Sequence, residues 1–427
     1  EDDCTIHKYP ALYFFIKMKK EKKKHLQKEQ ARKAGAKLYE QLKSNKLQKA
    51  QVMNFSDSDL LEPFIEGVLL AGYHFSKYKK EKDDFGLKEI YIFDKSFQKS
   101  QMKELLNITK AVFHARDLVN EPLSYLTAGQ FSKEIEKLGE EAGFNVEVFN
   151  KKKIEALKMG GLLAVNKGSV DPPTFNILEW KPENAQNKKP VILVGKGVVY
   201  DTGGLSLKPT SKSMDYMKSD MAGAAVIAST VYATAINKLP VHVVGLIPAT
   251  DNRPDGNAYV PGDVITMFDG TTVEIKNTDA EGRLILADAL SYAKKYSPEL
   301  VIDVATLTGS AEIITGPHAI VGMSNNSEKL QKLKFLGDEL YERVVEVPLW
   351  EEFAEPLKSK IADLNKLGRR EGQTSIAGKF LEHFTDYPWI HLDTAGVSFY
   401  HTQKSYLPEG GTGIGTRLLF TFLKKFN

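Results

Sequence analysis

Short, almost continuous apolar runs separated by helical patterns constrain the fold of this chain most strongly. The runs are Val191–Val194, Val241–Ile247 and Leu300–Ala305, and only His242 and Asp303 interrupt the last two. Apolar runs of this length that alternate with helices are typical of strands covered on both faces. The sequence therefore predicts an α/β fold in which helices flank a mixed, mostly parallel sheet.

The chain length indicates two domains, because 427 residues exceed one small core. Residues 1–110 are predicted to form a smaller amino-terminal α/β domain, with a lysine-rich helix in the first 50 residues, a helix over Pro63–Tyr73 and a strand over Glu89–Phe93. A helix over Lys99–Val119 should link it to the larger domain, residues 111–427, with the boundary near Lys110. In the larger domain we expect helices Gly129–Ala142, Lys151–Met159, Ala222–Ile236 and Arg283–Tyr296, and strands Asn145–Phe149, Thr174–Trp180, Val191–Val194, Val241–Pro248 and Leu300–Ala305.

The net charge of only +3 gives the whole protein no strong electrostatic attraction for polyanions or membranes. The basic run Lys17–Lys24 has two interpretations, an arm that binds polyanions and a solvated helix face, and the second is preferred. A single cysteine, Cys4, excludes an internal disulfide and favours a reducing compartment. No apolar run reaches the roughly 18 residues of a membrane-spanning helix, so none is expected.

Two segments, Val191–Ala224 and Asn277–Arg283, concentrate acidic residues next to predicted strands and helices. Asp201 follows a strand, Asp220 opens a helix, and Asp279 and Glu281 lie two residues apart, so their side chains point to one side of an extended segment. Gathered carboxylates repel one another unless cations bind between them. Two divalent ions about 3.5 to 4 Å apart would relieve that repulsion. An alternative for Asp279 is an N-cap of the following helix.

The basic residues of these segments have separate interpretations. Lys196 lies between two glycines, and a neutral lysine can bind a metal if nearby dications depress its pKa; the alternative is a surface lysine in a turn. Lys208 could present positive charge to a developing substrate oxyanion, and Arg283 falls on the side of Asp279 and Glu281. Three further charged residues are predicted to be solvated parts of the intervening loop, namely Lys212, Asp215 and Lys218.

The segments GKGVVYDTGGLSLKP, MDYMKSDMAGAA and NTDAEGRLILADAL resemble the leucyl aminopeptidase family of dinuclear metallo-exopeptidases. ARDLVNEP, NAYVPGDVI, DVATLTG and HLDTAG extend the resemblance from about Ala115 to the end of the chain. It implies a cytoplasmic homohexamer that removes leucine or other hydrophobic residues from peptides with a free amino terminus, through a hydroxide held by two metals. Two alternatives stay open: a Cys-Gly or other dipeptidase, and an added nucleic-acid-binding role of the basic arm.

The resemblance also assigns roles to single residues. It implies two divalent ions per subunit, zinc with manganese or cobalt possible, on the ligands Lys196, Asp201, Asp220, Asp279 and Glu281. It implies catalytic roles for Lys208 and Arg283, with a bicarbonate near Arg283 that shuttles a proton. It implies that Met217, Thr306, Leu307, Gly309, Ala395 and Ser398 bind the substrate.

Overall fold

The amino-terminal part of the protein is a small α/β unit. The computed structural model describes residues 3–8, 11–81, 85–95 and 97–426. The elements up to residue 120 are strands β1 (Cys4–Lys8) and β2 (Ala11–Phe15), helix α1 (Lys24–Ser44), strand β3 (Lys49–Met53), helix α2 (Leu61–Ala71), strand β4 (Glu89–Phe93) and helix α3 (Lys99–Asn120). β1 and β2 form an antiparallel hairpin, whereas β3 and β4 pair in parallel. The helix after Pro63 and the strand at Glu89 agree with the predictions.

The first 50 residues contain the predicted lysine-rich helix as α1, but two strands that were not predicted precede it. Residues 4–15 contain the β1–β2 hairpin, and α1 begins only at Lys24, while residues 1, 2, 9 and 10 of that predicted helix lie outside the described residues. Half-buried and exposed residues alternate from Leu12 to Met18, which is the period of a strand and not of a helix. Phe14 and Ile16 pack against the apolar cluster under α1. The lysine run obscured this alternation, and its six lysines are all exposed.

The larger domain begins after α3 and alternates helices with strands. Its helices are α4 (Ala128–Ala142), α5 (Lys151–Ala156), α6 (Gly160–Asn166), α7 (Ala222–Ile236), α8 (Gly282–Ala293), α9 (Gly309–Thr315), α10 (Ser327–Leu340), α11 (Gln373–Glu382) and α12 (Thr416–Lys424). Its strands are β5 (Asn145–Phe149), β6 (Thr174–Trp180), β7 (Val191–Gly195), β8 (Gly197–Asp201), β9 (Val243–Asn252), β10 (Val264–Thr266), β11 (Thr272–Glu274), β12 (Leu300–Ala305), β13 (Ile320–Ser324), β14 (Val344–Glu346), β15 (Leu364–Asn365), β16 (Trp389–Asp393), β17 (Phe399–Tyr400) and β18 (Gly410–Gly411).

One large sheet organises this domain. Its path runs β14-β13-β16-β12-β7-β9-β6-β5, and β8 pairs with β9 beside it. The pairs β7–β9, β8–β9, β7–β12, β12–β16 and β13–β14 are parallel, and the other three pairs are antiparallel. This confirms the predicted two-domain α/β fold with a mixed, mostly parallel sheet. The carboxyl ends of β7, β8, β12 and β16 meet at one edge, where α/β proteins bind ligands.

Two predicted elements have different bounds. The helix expected over Lys151–Met159 stops at Ala156, and a second helix, α6, starts at Gly160. Lys158 adopts a positive φ of 58° between the two helices, and a β-carbon at Gly160 would lie 1.8 Å from the Thr266 carbonyl oxygen. The chain therefore turns here to bring α6 against β10. Likewise, β9 runs to Asn252, four residues beyond the predicted strand end.

Helix α7 forms the centre of the core. Every residue from Ala222 to Ala235 is buried, and the helix packs between the sheet and helices α3, α4 and α12. Among the described residues, the segment Met214–Ile236 is long and apolar enough to meet the criterion for a membrane span, but 94% of its most apolar window is buried inside the protein. Its apolar character is that of a core helix.

Helix α3 runs without a break through the predicted domain boundary near Lys110. Beyond that point Arg116 is fully buried and donates hydrogen bonds to three backbone carbonyls. They are those of Leu70 in α2 at 2.9 Å, Tyr406 at 3.2 Å and Thr412 at 3.0 Å. One side chain of α3 therefore binds backbone from both domains.

A second set of buried charges joins the domains, and we call Glu29, Arg32, Glu66, Glu342 and Arg417 the interdomain charge network. Glu66 lies 2.5 Å from Nε of Arg32 and 3.0 Å from Nη1 of Arg417. Glu342 lies 2.9 Å from Nε of Arg417, and Glu29 lies 3.7 Å from Arg32. Burial opposes ionisation of Glu66, but the two arginines outweigh it and lower its pKa to about 2.

Candidate metal centre

Lys196 lies at a break between two strands. β7 ends at Gly195, β8 begins at Gly197, and the Lys196 backbone N–H donates to the carbonyl of Val304 at 3.1 Å. A β-carbon at Gly195 would lie 2.5 Å from the Cα of Ala224, so only glycine allows helix α7 this close. The break turns the Lys196 side chain toward the carboxyl edge of the sheet, where it is 3% exposed.

Asp201 ends β8 and has a fixed orientation. Its Oδ1 accepts hydrogen bonds from the Gly203 N–H and from Nδ2 of Asn252, both at 2.8 Å. Gly203 and Gly204 have φ values of +86° and +62°, a turn that glycine adopts without strain. The turn brings Nζ of Lys208 to 2.9 Å from Oδ2 of Asp201. Asn252 at the end of β9 is a positioning residue that the sequence did not reveal.

The segment Asn277–Arg283 supplies the next two carboxylates. Asp279 forms an ion pair with Lys208, and Oε1 of Glu281 lies 2.9 Å from Nζ of Lys196. The N-cap position of α8 is Glu281, without a side-chain capping bond. The alternative that Asp279 caps this helix is therefore wrong, because its carboxylate turns to Lys208 instead. A β-carbon at Gly282 would lie 2.4 Å from Cε of Lys196, so the lysine occupies the space above this glycine.

Asp220 completes the group from a 3₁₀ segment, Met214–Met221, that leads into α7. Its Oδ1 accepts from Nζ of Lys196 and from Oγ1 of Thr306, both at 2.7 Å. Its Oδ2 is buried and has no hydrogen-bond partner within the described chain. In the same segment Lys218 is half-buried and donates to the Asn120 carbonyl at 2.7 Å. The prediction of a solvated Lys218 was wrong, because α3 covers it, whereas Lys212 and Asp215 are exposed.

The carboxylates of this site lie so close together that they would repel one another if all were ionised. One oxygen each of Asp201, Asp220 and Glu281 lies within 4.8 Å of the other two. Burial, and then the repulsion of Glu281, raise the pKa of Asp201, and burial raises the pKa of Asp220 well above its ordinary value. Burial and the neighbouring Asp201 raise the pKa of Asp279 to about 7. Buried acids that resist ionisation in this way fit divalent cations, which replace the missing positive charge.

Two lysines partly balance these acids. Burial opposes the charge of Lys196, but Asp220 and Glu281 outweigh it and hold its pKa above the ordinary value. Burial likewise opposes the charge of Lys208, while Asp201 and Glu281 raise its pKa. Lys196 also lowers the pKa of Glu281 to about 2, against the effect of burial. The two lysines thus supply part of the positive charge that the clustered acids need.

Arg283 has a different environment from the one expected. It lies in the first turn of α8, and its Nη1 donates to the Lys366 carbonyl at 2.6 Å, not to Asp279 or Glu281. Its Nε has no partner in the described ranges, and burial lowers its pKa to about 10. Lys366, beside it, is 0% exposed. The sequence did not point to Lys366, because the loop that carries it contains no recognisable pattern.

Most of the predicted substrate-binding residues follow β12 and β16, whereas Met217 lies in the 3₁₀ segment before α7. Asp393 accepts from the Leu307 N–H at 3.1 Å and from the Ala395 N–H at 3.2 Å. Asp393 therefore joins the segment after β12 to the segment after β16. Ser398 is buried and donates to the Thr394 carbonyl at 2.9 Å. Thr306 contacts Asp220 and Lys196. Gly309 begins α9. Tyr216, the neighbour of Met217, stacks on Phe399 with ring centroids 6.0 Å apart.

This fold, with buried carboxylates and lysines at the carboxyl ends of parallel strands, defines a metalloenzyme of the α/β class. The catalytic-domain profile of the cytosol aminopeptidase family matches residues 113–420, and the family's amino-terminal-domain profile matches residues 19–82. The chain belongs to the cytosol aminopeptidase family and is a metal-dependent aminopeptidase, a hydrolase that acts on peptides.

Relatives and solved structures agree with this membership. Probable cytosol aminopeptidases of Chlorobium phaeobacteroides and Chlorobaculum tepidum are each 46% identical to the chain, over 86% of it and 75% of their own length. One from Geobacter sp. is 41% identical over 84% of the chain and 74% of its own length. The structure described as bottromycin maturation enzyme BotP in complex with Mn has a TM-score of 0.91 at 30% identity, covering 100% of this chain and 93% of that one. A manganese-bound structural relative supports the use of divalent metal.

Proposed function

We propose that this protein removes amino-terminal residues, preferentially leucine and other hydrophobic residues, from peptides with the help of two divalent ions. The observation that carries this proposal is the buried surplus of carboxylates over cations at the edge of the sheet. Lys196, Asp201, Asp220, Asp279 and Glu281 would hold the ions, with Lys196 binding as the neutral amine. The unpartnered Oδ2 of Asp220 is an available ligand atom. When bound, the ions supply Lewis acidity that polarises the scissile carbonyl and promotes ionisation of water.

The residues around these ligands would bind and orient the peptide. Asp220 would accept a hydrogen bond from the free amino group of the first residue, which restricts cleavage to amino termini. Lys208 would stabilise negative charge that develops on the carbonyl oxygen. Leu307 and Gly309 would hold the peptide backbone in the position that Asp393 sets for this loop.

The first side chain of the peptide would lie in the space among Met217, Thr306, Ala395 and Ser398. An apolar pocket discriminates by only about 1 to 3 kcal/mol per methylene. The proposed preference is therefore for leucine over smaller residues, with other hydrophobic residues also accepted. Zinc is the proposed metal, and manganese or cobalt would also be bound, because oxygen-rich sites with one nitrogen ligand accept all three.

Three wider features belong to the same proposal through family resemblance. The protein would assemble as a homohexamer, act in the cytoplasm, and hold a bicarbonate near Arg283 that moves a proton between water and the leaving amine. Sedimentation tests the hexamer, since a single species with the mass of one chain would contradict it. The six exposed lysines of Lys17–Lys24 would form a solvated face, because a net charge of only +3 gives the protein little attraction for nucleic acid.

Hydrolysis of leucine p-nitroanilide tests the central proposal. The wild-type protein loaded with Zn²⁺, Mn²⁺ or Co²⁺ should release p-nitroaniline, and chelation should abolish the release until metal returns. Glu281→Ala should be inactive while retaining its circular dichroism spectrum. A wild-type protein that cleaves Leu-Gly but neither the anilide nor longer peptides would instead support a dipeptidase. Retained activity in Glu281→Ala would contradict the proposed centre.

A further inference from the structure

A cavity of about 330 Å³ lies between helix α1 and the segments that follow α9, α10 and β17. Its lining comes from both domains and includes the apolar side chains of Ile320, Val397 and Leu407. A cavity of about 150 Å³ holds one benzene ring, so this one has room for a ring with a short polar chain. Among the described residues that line it, none is a proposed metal ligand or substrate-binding residue. The cavity is therefore separate from the candidate metal centre.

Two cationic side chains of the lining lie over aromatic rings and have no acid beside them. The guanidinium carbon of Arg343 lies 4.3 Å from the ring centroid of Tyr341. Nζ of Lys404 lies 4.8 Å from the ring centroid of Tyr400. Within the described part of the chain, no carboxylate oxygen lies within the 4.0 Å of an ion pair from either cation, and the buried Nε of Arg343 has no hydrogen-bond partner. Because an unpaired buried donor is costly, this position favours a ligand that accepts a hydrogen bond.

The two acids of the lining already have partners. Glu342 accepts hydrogen bonds from Nε of Arg417 at 2.9 Å and from two backbone N–H groups at 3.0 Å. Glu29 accepts a hydrogen bond from the Tyr406 hydroxyl at 2.8 Å, and Nζ of Lys33 lies 3.7 Å from its carboxylate. The charge that lacks a partner around the cavity is therefore positive, and an anion from outside the chain would balance it.

Two residues of the lining hold a backbone conformation that favours glycine. Tyr341 ends helix α10 with a φ of 58°, and Ser405 has the same φ. A side chain with a β-carbon strains the backbone in this left-handed region. Such strain is concentrated at ligand sites. At this cavity it falls on the residue whose ring lies under the unpaired guanidinium of Arg343.

We propose that this interdomain cavity binds a small aromatic carboxylate. Arg343 supplies a planar guanidinium, which pairs with a carboxylate through two parallel hydrogen bonds, and the exposed Lys404 adds positive charge. The ring of the ligand packs against the tyrosine rings of the lining, since aromatic pairs attract one another beyond the apolar area that they bury. Those rings belong to Tyr341, Tyr400 and Tyr406. The site does not depend on the proposed peptidase function.

A thermal titration of the metal-loaded protein with 3-phenylpropanoate tests the ligand class. This acid should raise the melting temperature in a saturable way, because a ligand that binds only the folded state stabilises it by mass action. 3-Phenylpropan-1-ol has the same ring and chain without the charge, and propanoate has the charge without the ring. Each should need an about tenfold or higher concentration for the same shift. 3-Phenylpropylamine, which reverses the charge, should give no shift.

Variants of the two cations place the binding at the cavity. Arg343→Met keeps an apolar stem over Tyr341 and should raise the half-saturating concentration of 3-phenylpropanoate about tenfold or more. Arg343→Lys keeps the charge without the planar fork and should give an intermediate value. Lys404→Met changes an exposed residue, so folding does not limit it, and it should raise the half-saturating concentration about two- to threefold. Arg370→Met removes an exposed arginine outside the lining and should match wild type.

The same titration separates this cavity from the metal centre. Binding of 3-phenylpropanoate to the metal ions would compete with leucine anilide and would not change in Arg343→Met. The inference is overturned if wild type shows no saturable shift, if 3-phenylpropan-1-ol binds as tightly as the acid, or if Arg343→Met and Lys404→Met both match wild type. An inactive wild-type protein whose shift still depends on Arg343 would contradict the proposed function and support this site.

Discussion

The interdomain charge network and the candidate metal centre are both built from buried acids and bases, yet their balance differs. In the network, Glu66 lies between Arg32 and Arg417, and its pKa falls to about 2. At the metal centre, four carboxylates face two lysines, and the pKa of Asp279 rises to about 7 because of burial and the nearby Asp201. Burial acts in the same direction on both sets of acids.

Close arginine partners for Glu66 and Glu342 therefore distinguish the structural network from the candidate metal centre. Buried acids that each face an arginine remain ionised and hold two domains together. Acids in excess of their lysines repel one another, and a cation from outside the chain lowers their energy. Glu29 has a weaker arginine partner than Glu66, because Arg32 lies 3.7 Å away. Burial therefore raises the pKa of Glu29 in spite of that arginine.

Removing an acid from the metal centre should have the largest effect, and it should fall on activity. Asp279→Asn should lower kcat/KM for leucine anilide by about 10³-fold, or about 4 kcal/mol, because the charge of a proposed metal ligand is lost. The melting temperature of the metal-free variant should match or exceed that of wild type, since a repelled carboxylate is gone. Calorimetry with and without chelator measures this. If Asp279→Asn is less stable than wild type but equally active, Asp279 acts in folding and not in metal binding.

Removing an acid from the interdomain charge network should lower the free energy of unfolding and leave kcat unchanged. Glu66→Gln leaves two buried arginines without their shared partner, which should cost about 3 to 5 kcal/mol of unfolding free energy. The folded fraction should retain the kcat of wild type, because the network does not touch the metal centre. Urea unfolding supplies the measurement. Glu62→Gln, on the same helix, is the control and should change stability little.

The acid stability of the wild type should depend on Glu66 in a defined pH window. Its pKa is about 2 in the folded protein against an ordinary value of 4.5, so the unfolded chain binds the extra proton between these values. The stabilisation, up to about 3 kcal/mol, should be present above pH 5 and lost as the pH falls toward 2. Unfolding midpoints across this range should slope less for Glu66→Gln than for wild type, and equal slopes would contradict the role of Glu66.

A small packing change should disturb the metal centre more gently. Gly282→Ala places a methyl group on Lys196, where a β-carbon would meet Cε at 2.4 Å. Displacement of this proposed ligand should lower kcat/KM by about 10- to 100-fold and weaken Mn²⁺ binding in a calorimetric titration. Gly129→Ala is the matched control, because nothing lies within 4 Å of its β-carbon position. Equal activities of the two variants would show that Lys196 tolerates movement.

The parts of the fold that the sequence predicts are those with strong local patterns. β7 and β12 are largely apolar runs, and α7 is a largely apolar helix, so the local sequence is enough to assign them. The β1–β2 hairpin was missed because its alternation is short and ends in lysines. Elements after β12 received no prediction, because their boundaries depend on contacts with the sheet and not on local composition.

The candidate site divides in the same way. Its acids and lysines stand in two segments whose spacing is visible in the sequence, and the structure brings all of them together. Asn252 and Lys366 reach the centre from separate segments, so only the folded chain reveals them. The solvation of Lys218 was predicted wrongly because its neighbours in sequence are polar, while Asn120 of α3 covers it in space. The sequence around a residue does not show whether a distant segment of the chain buries it.

The continuity of α3 affects how the two domains can be separated. A cut at residue 111 would divide a helix whose second half carries Arg116, and this arginine binds carbonyls from α2 and from the segments near Tyr406 and Thr412. Each fragment would then expose half of a helix that the other fragment covers. An exchange of amino-terminal domains between family members would therefore succeed only if the whole of Lys99–Asn120 travels with one partner.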